Sequence, residues 1–363
     1  MPDTELECWL SLRRGGCVPR EIPRPAGENA GLRDDAGWRN FRLSHDQKMP
    51  RFDITIAGEL NLDLIMYGLP DELPPERELL ADRMMLTLGG SSAIMAHNLA
   101  ALGSRVGFQT RIGDDDLGAT ALQRLQESGV DVSKVRRVPG AIKTGLTVIL
   151  QRAAWRNMVT YSGTIAETTW DDLDLAYLAD SRHFHVSSYY LQGALRPRVA
   201  ELFRKMKEAG LTTSLDTNDD PDDRWEGGLH EALKFVDIFM PNEREAPKAV
   251  GVSDLETAVK KLAAMVPLVV VKLGREGAMA QRGNERFISP ALRVEAVDAV
   301  GAGDSFDAGF LHEYVRGADL TTCLTAGNLA GAFSTTRPGG TEAFRDAKYR
   351  ALFFRDRGSK PGA

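Results

Sequence analysis

The sequence predicts an α/β protein in which helices cover both faces of a mainly parallel β-sheet. Two observations support this prediction: short apolar runs rich in β-branched residues recur along the chain, and helical stretches separate several of them. The predicted strands are 52–58, 105–111, 183–187, 211–215, 236–240, 268–273 and 293–297. The predicted helices are 91–103, 117–129, 196–209 and 254–265.

One region interrupts this alternation and predicts a second, smaller sheet. Residues 141–166 contain two β-rich runs with a break near 153–156, which is typical of a β-hairpin. We expect the hairpin to combine with 62–88 in an accessory sheet.

The two ends of the chain depart from the pattern. Residues 1–48 are rich in Arg, Pro, Gly and Asp and show no sustained strand or helix period. We therefore expect a disordered extension there, with translation starting at Met49 as an alternative. The folded domain is expected to span 49–350, and 351–363 to form a C-terminal tail.

Composition argues against several classes of protein. The chain of 363 residues has 45 basic and 51 acidic residues, a formal net charge of −6, and no basic stripe that would favour a nucleic-acid partner. No apolar run reaches the roughly 18 residues of a membrane span. Three cysteines without metal-type spacing favour a reducing compartment, so we expect a cytoplasmic protein without a membrane partner.

The strongest motif is DAVGAGDSFDAG at 298–309, between the predicted strand 293–297 and an apolar helix over 304–316. Gly301 and Gly303 allow a tight turn whose N–H groups lie at the positive end of the helix, an arrangement suited to phosphate. Asp304 in the first helical turn would place a proton acceptor beside that phosphate.

The motif at 298–309 must also be compared with other glycine-rich motifs. An isolated GxGD is also typical of a plain helix start, with the carboxylate of Asp304 favouring the helix dipole. A dinucleotide-binding loop would need Gly or Ala at Phe306, and a hydrolase elbow would need Gly at Asp307. The P-loop pattern occurs nowhere in the chain.

DAVGAGDSF resembles the C-terminal signature D-T-x-G-A-G-D-x-F of the PfkB, or ribokinase-like, carbohydrate kinases, with Ala299 in place of the usual Thr. The resemblance covers about 51–350. It implies a three-layer α/β/α domain with a small β-sheet lid. It also implies that Asp304 is the catalytic base and that Gly301, Ala302 and Gly303 form the anion hole.

The same resemblance implies residues that bind ATP and Mg²⁺. PNERE at 241–245 contains the family's N-x-x-E motif, which assigns Asn242 and Glu245 to the nucleotide and magnesium network, with Glu245 reaching Mg²⁺ through water. The residues alone indicate a capping box, and both roles are compatible. Gly274 and Gly277 match a turn against the nucleotide, and Asn328 matches a position near the adenine.

For the substrate, the resemblance points to the end of the first strand and to the GGSSAIMAHN segment. It assigns Asn61, Asp63, Gly89 and Gly90 to substrate binding. Ile94 stands where the family usually carries Asn. We expect this change to remove a sugar contact and to weaken activity on ribose.

Three further positions follow less directly. Asp216 and Asn218, in SLDTN, resemble the family's D-x-N and are expected to support the site. His183 and His185 alternate on a strand, and without a third ligand nearby we expect hydrogen-bonded histidines rather than a metal site. The resemblance implies a monovalent cation, K⁺, near Asp298.

The expected activity is therefore ATP-dependent phosphorylation of a hydroxymethyl group on a sugar, sugar acid or related small polyol. A nucleoside kinase of the same fold is one alternative, and a non-catalytic sugar or nucleotide sensor is another. Because the lid of this family often forms a dimer interface, the resemblance also implies a homodimer.

Overall fold

Strands and helices alternate along most of the chain, as the sequence predicts. The computed structural model describes residues 49–152 and 155–358. In chain order, the strands are β1 (Phe52–Ala57), β2 (Asn61–Tyr67), β3 (Arg83–Gly89), β4 (Val106–Gln109), β5 (Arg111–Gly113), β6 (Arg136–Val138), β7 (Leu146–Gln151), β8 (Arg156–Tyr161), β9 (Ser181–Val186), β10 (Thr212–Leu215), β11 (Ile238–Phe239), β12 (Leu268–Lys272), β13 (Ala278–Arg282) and β14 (Glu285–Ser289). The helices are α1 (Ser91–Ala101), α2 (Asp116–Glu127), α3 (Leu175–Ala179), α4 (Val199–Glu208), α5 (Leu229–Leu233), α6 (Glu245–Ala249), α7 (Leu255–Ala263), α8 (Ala302–Tyr314), α9 (Leu320–Ser334), α10 (Glu342–Arg345) and α11 (Ala347–Gly358).

The central sheet has eight strands in the order β14-β13-β12-β11-β10-β9-β1-β4. Pairing is parallel from β4 to β12, and antiparallel where β13 and β14 continue the sheet as a hairpin. Since the carboxyl ends of parallel strands share one edge, the loops that follow β1, β9, β10 and β12 meet there.

Alternation within single strands explains the three layers. In β1, Ile54 and Ile56 face one core, whereas Ala57 faces the other. Helices α3 to α7 contribute to the core that contains Ala57, and α1, α2, α8 and α9 contribute to the opposite core. The predicted α/β/α architecture is confirmed.

A second sheet of four strands, in the order β3-β2-β7-β8, forms the predicted lid. The pairing of β7 with β8 is antiparallel, with Leu146 opposite Tyr161, so the expected hairpin is present. Two residues of its turn, 153 and 154, lie outside the described residues.

Two predicted strands differ from the structure. Residues 293–297 form no strand, because β14 occupies the edge of the sheet; the amide of Val297 instead donates to the carbonyl of Thr335 at the end of α9, at 2.7 Å. The predicted strand 105–111 is divided into β4 and β5, and β5 pairs with β6 in a separate two-stranded sheet.

The C-terminal boundary at 350 was wrong. Helix α11 continues to Gly358, and Phe353 is buried against Phe333 of α9, with ring centroids 4.7 Å apart. This apolar contact extends the folded unit beyond the expected start of the tail. The expectation for 1–48 lies outside the described residues.

Within 49–152 and 155–358, no helix has the length and apolar character that crossing a membrane requires.

Candidate active site

The glycine-rich turn leads directly into α8. Gly301 has φ 72°, and a Cβ there would lie 2.5 Å from Cα of Gly340, so this position requires glycine. The helix begins at Ala302, two residues earlier than predicted, which places Gly303 and Asp304 in its first turn. We call residues 301–303 the anion turn. The structure thus brings its backbone and the Asp304 carboxylate together.

Asp304 is buried. Burial and the negative charge of Asp216 raise the pKa of its carboxyl group to about 6, although Lys272 and a hydrogen bond with Ser91 act to lower it. A carboxylate with this pKa is mostly ionised at pH 7 and is a stronger base than an exposed aspartate. Those properties suit a general base.

Lys272, Asp216 and Asp307 form a buried ionic cluster near Asp304. Nζ of Lys272 is 2.5 Å from Oδ2 of Asp216 and 3.2 Å from Oδ2 of Asp307. Lys272 lowers the pKa of Asp216, while burial raises the pKa of Asp307. The sequence pattern predicted a supporting role for Asp216. It did not single out Lys272 or Asp307, although Asp307 lies within the motif at 298–309.

Asn242 and Glu245 form the predicted capping box. The amide N–H of Asn242 donates to Oε2 of Glu245 at 2.9 Å, and the amide of Glu245 donates to Oδ1 of Asn242 at 3.0 Å. Burial and the charge of Asp216 raise the pKa of Glu245 to about 7, against a lowering effect of Lys272. The structural role of the motif is confirmed, and the motif lies next to the ionic cluster.

The four residues expected to bind substrate are brought together at the start of the lid. Nδ2 of Asn61 donates to Oδ1 of Asp63 at 3.3 Å. A Cβ on Gly89 would lie 2.1 Å from Oδ1 of Asp63, and one on Gly90 would lie 2.6 Å from Oδ1 of Asn61. Burial and the charge of Asp304 together raise the pKa of Asp63 to about 8, against a lowering effect of Asn61. The lid residues therefore lie close enough to Asp304 for their charges to interact.

Glu59 is a site residue that sequence analysis missed. Its carboxylate accepts hydrogen bonds from the amide and hydroxyl of Ser92, at 3.2 and 2.7 Å, and from the hydroxyl of Ser188 at 2.7 Å. The amide of Ser188 donates to Oδ1 of Asn218 at 2.9 Å. These bonds connect the loops after β1, β9 and β10. The only sequence signal was an acidic residue directly after a buried strand.

Ile94 is buried in α1 and lies against the anion turn. Its methyl groups would be 3.2 Å from a Cβ at Gly301 and 2.8 Å from one at Gly340. The side chain therefore supports the backbone of the turn.

The residues expected to contact the nucleotide lie at and beside the β12–β13 hairpin. Gly274 and Gly277 form its turn, and a Cβ on Gly277 would lie 2.2 Å from the carbonyl oxygen of Ser289. Nδ2 of Asn328 donates to the carbonyls of Ser289 and Pro290, at 2.9 and 3.2 Å. These contacts give Gly277 and Asn328 structural roles at the end of β14.

Three donors surround the carboxylate of Asp298. The hydroxyl of Tyr67 and the amide of Gly339 donate to Oδ2, at 2.9 and 3.1 Å, and the amide of Val300 donates to Oδ1 at 3.0 Å. The carboxylate is therefore held by protein groups on the lid side of the anion turn.

His183 and His185 are hydrogen-bonded core residues, as predicted. Ser214 Oγ lies 2.7 Å from Nε2 of His183 and 2.7 Å from Nδ1 of His185. The hydroxyl of Thr212 lies 2.7 Å from Nδ1 of His183, and that of Ser187 lies 2.7 Å from Nε2 of His185. Burial lowers the pKa of both imidazoles, that of His185 to about 3. The described residues contain no cluster of His, Cys, Asp and Glu that would hold a metal ion.

Comparison with known proteins agrees with this geometry. The model of the pfkB family of carbohydrate kinases matches residues 51–347. The chain is 29% identical over 279 residues to a 2-dehydro-3-deoxygluconokinase from Bacillus subtilis, which covers 73% of this chain and 86% of the relative. It is 30% identical over 299 residues to an ATP-dependent ribose-1-phosphate kinase from Halopiger xanaduensis, which covers 79% and 93%.

Solved structures show the same fold. An adenosine kinase from Sinorhizobium meliloti, 25% identical, has a TM-score of 0.72 and covers 83% of this chain and 99% of its own. A ribokinase II candidate from E. coli, solved with ATP and Mg²⁺, is 25% identical, has a TM-score of 0.73, and covers 84% and 100%. With its anion turn, its buried aspartate and its lid, the chain belongs to the pfkB family of carbohydrate kinases.

Proposed function

We propose that this protein transfers the γ-phosphoryl group of ATP to a hydroxymethyl group of a sugar, sugar acid or related small polyol. The observation that carries the proposal is the position of Asp304. It is buried directly after the anion turn, and its negative charge raises the pKa of Asp63 on the lid side, so the two carboxyl groups lie close together. A substrate held by the lid residues would present its hydroxyl to a base that lies beside the phosphate site.

In the proposed reaction, Asp304 accepts the proton of the substrate hydroxyl as that oxygen attacks the γ-phosphorus. Amides of the anion turn, Gly301, Ala302 and Gly303, stabilise the negative charge on the transferring group. Asn61 and Asp63 orient the substrate. The raised pKa of Asp63 leaves it protonated at pH 7, so its carboxyl group can donate a hydrogen bond to a substrate oxygen.

Glu245 has the donor chemistry that Mg²⁺ prefers. Magnesium takes oxygen ligands and keeps several of its waters, so a carboxylate often reaches it through water. Each carboxylate oxygen of Glu245 accepts one bond from Asn242 and retains a lone pair for a water molecule. When bound, Mg²⁺ would neutralise part of the negative charge of the ATP phosphates. We place Gly274, Gly277 and Asn328 at the nucleotide on family resemblance.

Asp298 fits K⁺ less well than Glu245 fits Mg²⁺. The carboxylate of Asp298 already accepts from three protein donors. We therefore assign no step of the reaction to a monovalent cation.

One experiment tests the proposal and its substrate class. ADP release would be measured with ATP and Mg²⁺ across pentoses, hexoses, sugar acids and nucleosides. Turnover with a sugar or sugar acid supports the proposal, and preference for a nucleoside favours the nucleoside kinase. ATP turnover with no acceptor in the panel would favour neither, whereas tight binding without turnover would indicate a sensor.

A homodimer through the lid is part of the proposal. The outer strand β8 exposes apolar side chains, with Met158 58%, Val159 61% and Tyr161 53% accessible. Pairing of two lids would bury these groups. Sedimentation analysis of the wild type and of Met158→Lys tests this, since a dimer that uses the lid should dissociate in the variant.

A further inference from the structure

Lys272 stands at the junction of three motifs. It is the last residue of β12, and its side chain is only 11% exposed. Its backbone N–H donates to the carbonyl of Pro241 at 3.0 Å, and its own carbonyl accepts from the amide of Glu243 at 3.0 Å. These bonds fix the backbone of Lys272 beside the segment that carries Asn242 and Glu245.

The side chain of Lys272 extends along the anion turn. A Cβ added to Gly303 would lie 3.8 Å from Cδ, Cε and Nζ of Lys272. The ammonium group also donates hydrogen bonds to Asp216 at 2.5 Å and to Asp307 at 3.2 Å. A positive charge is thus placed next to the backbone that opens α8.

The lysine is charged in this environment. Burial alone would lower its pKa, but the carboxylates of Asp216 and Asp307 raise it. An ammonium group has three N–H donors. Among the residues that the structure describes, Asp216 and Asp307 are the two side chains that accept from it. One donor therefore remains for a ligand.

We propose that Lys272 binds the phosphoryl group at the anion turn and stabilises its charge during transfer. The inference rests on the proposed function and adds a residue to it. In the transfer, a bond forms between the substrate oxygen and phosphorus while the bond from phosphorus to the ADP oxygen breaks, and the substrate proton goes to Asp304. Lys272 keeps its protons. Because Asp216 and Asp307 hold the ammonium in place beforehand, little reorganisation is needed.

The competing explanation is that Lys272 and Asp216 form a purely structural ion pair. A double substitution that replaces both charged side chains by uncharged ones distinguishes this explanation from the proposal. Lys272→Met leaves Asp216 as a buried, unpaired charge and is expected to destabilise the fold. Lys272→Met/Asp216→Asn removes both charges of this pair, and Asp307, whose pKa burial already raises, can take up a proton, so the variant should regain stability. Asp216→Asn alone is the reference for its activity, and Lys261→Met, an exposed lysine on α7, is the control for the general effect of losing a lysine.

We expect the double variant to melt close to Asp216→Asn but to have a kcat lower by about 30-fold or more. Recovery of kcat to the level of Asp216→Asn would overturn the proposal. Calorimetric titration with ATP and with ADP gives a second readout, because ADP lacks the γ-phosphoryl group. Loss of Lys272 should weaken ATP binding about tenfold more than ADP binding, and equal losses would also overturn it. These affinities can be compared even when no acceptor substrate supports turnover, so the proposed function can fail separately.

Discussion

The hydroxyl of Tyr67 donates a 2.9 Å hydrogen bond to Oδ2 of Asp298, across 231 residues of sequence. Tyr67 ends β2 of the lid, and Asp298 lies three residues before Gly301. Val300 lies between Asp298 and Gly301 in the sequence and packs with Ile65 of the same lid strand. The lid and the segment that leads into the phosphate site are therefore joined by one polar and one apolar contact.

Tyr67→Phe removes the polar contact and keeps the ring. A hydrogen bond to a charged group contributes about 1.5–3 kcal/mol, so the free energy of unfolding should fall by about that amount. We also expect KM for the acceptor to rise, since the lid loses its link to the site. Tyr349→Phe, on α11 and outside the lid, is the control for the loss of a tyrosine hydroxyl and should change neither quantity. Unchanged stability in Tyr67→Phe would show that the bond contributes nothing.

Asp304→Asn should lower kcat by at least about 10²-fold, the low end for a lost general base, while the variant still folds and binds ATP. Asp116→Asn is the matched control because Asp116 also lies in the first turn of a helix, α2, but is exposed. Steady-state kinetics and thermal melting measure both effects. Near-normal turnover of Asp304→Asn would refute the assignment of the base.

The pH dependence of the wild type provides a separate check on Asp304. Its pKa of about 6 means that the carboxyl group is protonated below that pH and cannot accept the substrate proton. The value of kcat/KM should therefore rise with pH through about 6 and then level off. A profile that is flat from pH 5 to pH 8 would contradict the prediction.

Asp63 should make stability depend on pH. Its pKa is about 8 in the folded protein and near 4 in the unfolded chain, so between these pH values the folded state binds more protons than the unfolded state. The stability that Asp63 contributes is therefore fully present below about pH 4 and is lost as pH rises to about 8. Asp63→Asn removes this contribution. Between pH 5 and pH 7 the wild type should lose about 1 kcal/mol or more relative to the variant, measured by urea unfolding. Parallel curves for the two proteins would refute this assignment.

Gly301→Ala tests the anion turn against a matched glycine. Gly317 also has a positive φ, 84°, but a Cβ there meets nothing within 4 Å. Gly317→Ala should cost about 1–2 kcal/mol of stability from the left-handed backbone alone. Gly301→Ala also forces its Cβ against Gly340 and should lose more stability together with most of kcat. Equal effects of the two substitutions would show that the close approach is unimportant.

Local pattern was sufficient to predict a sheet with helices on both faces, the lid hairpin and the position of Asp304 in the first turn of α8. Strand alternation and a glycine turn before a helix are signals that a short window contains. The failure at 293–297 has a tertiary cause, because the β13–β14 hairpin takes the edge position that this apolar segment would need. The C-terminal boundary failed for a similar reason, since only contact with Phe333 explains the burial of Phe353.

The ionic cluster shows why site residues were missed. Lys272 ends an apolar strand, Asp216 follows another, and Asp307 lies one helical turn beyond Asp304. Each is separated from the others by tens of residues, and nothing local in any segment indicates the other two. Their chemistry appears only when parallel strands bring their carboxyl ends to one edge.

The row of imidazoles and hydroxyls in the sheet has a consequence for where its protons lie. Oγ of Ser214 lies 2.7 Å from Nε2 of His183 and 2.7 Å from Nδ1 of His185, and a hydroxyl group has one proton to donate. A neutral imidazole carries one N–H. Ser214 therefore donates to one ring and accepts from the N–H group of the other.

If Ser214 donates to His183, both rings carry their proton on Nδ1, and if it donates to His185, both carry it on Nε2. In either case the two histidines share one tautomer, and every hydrogen bond from Ser187 to Thr212 runs in the same direction. A proton added to one ring would turn its accepting nitrogen into a donor and reverse one of these bonds, so the row opposes a positive charge on either histidine, as burial does.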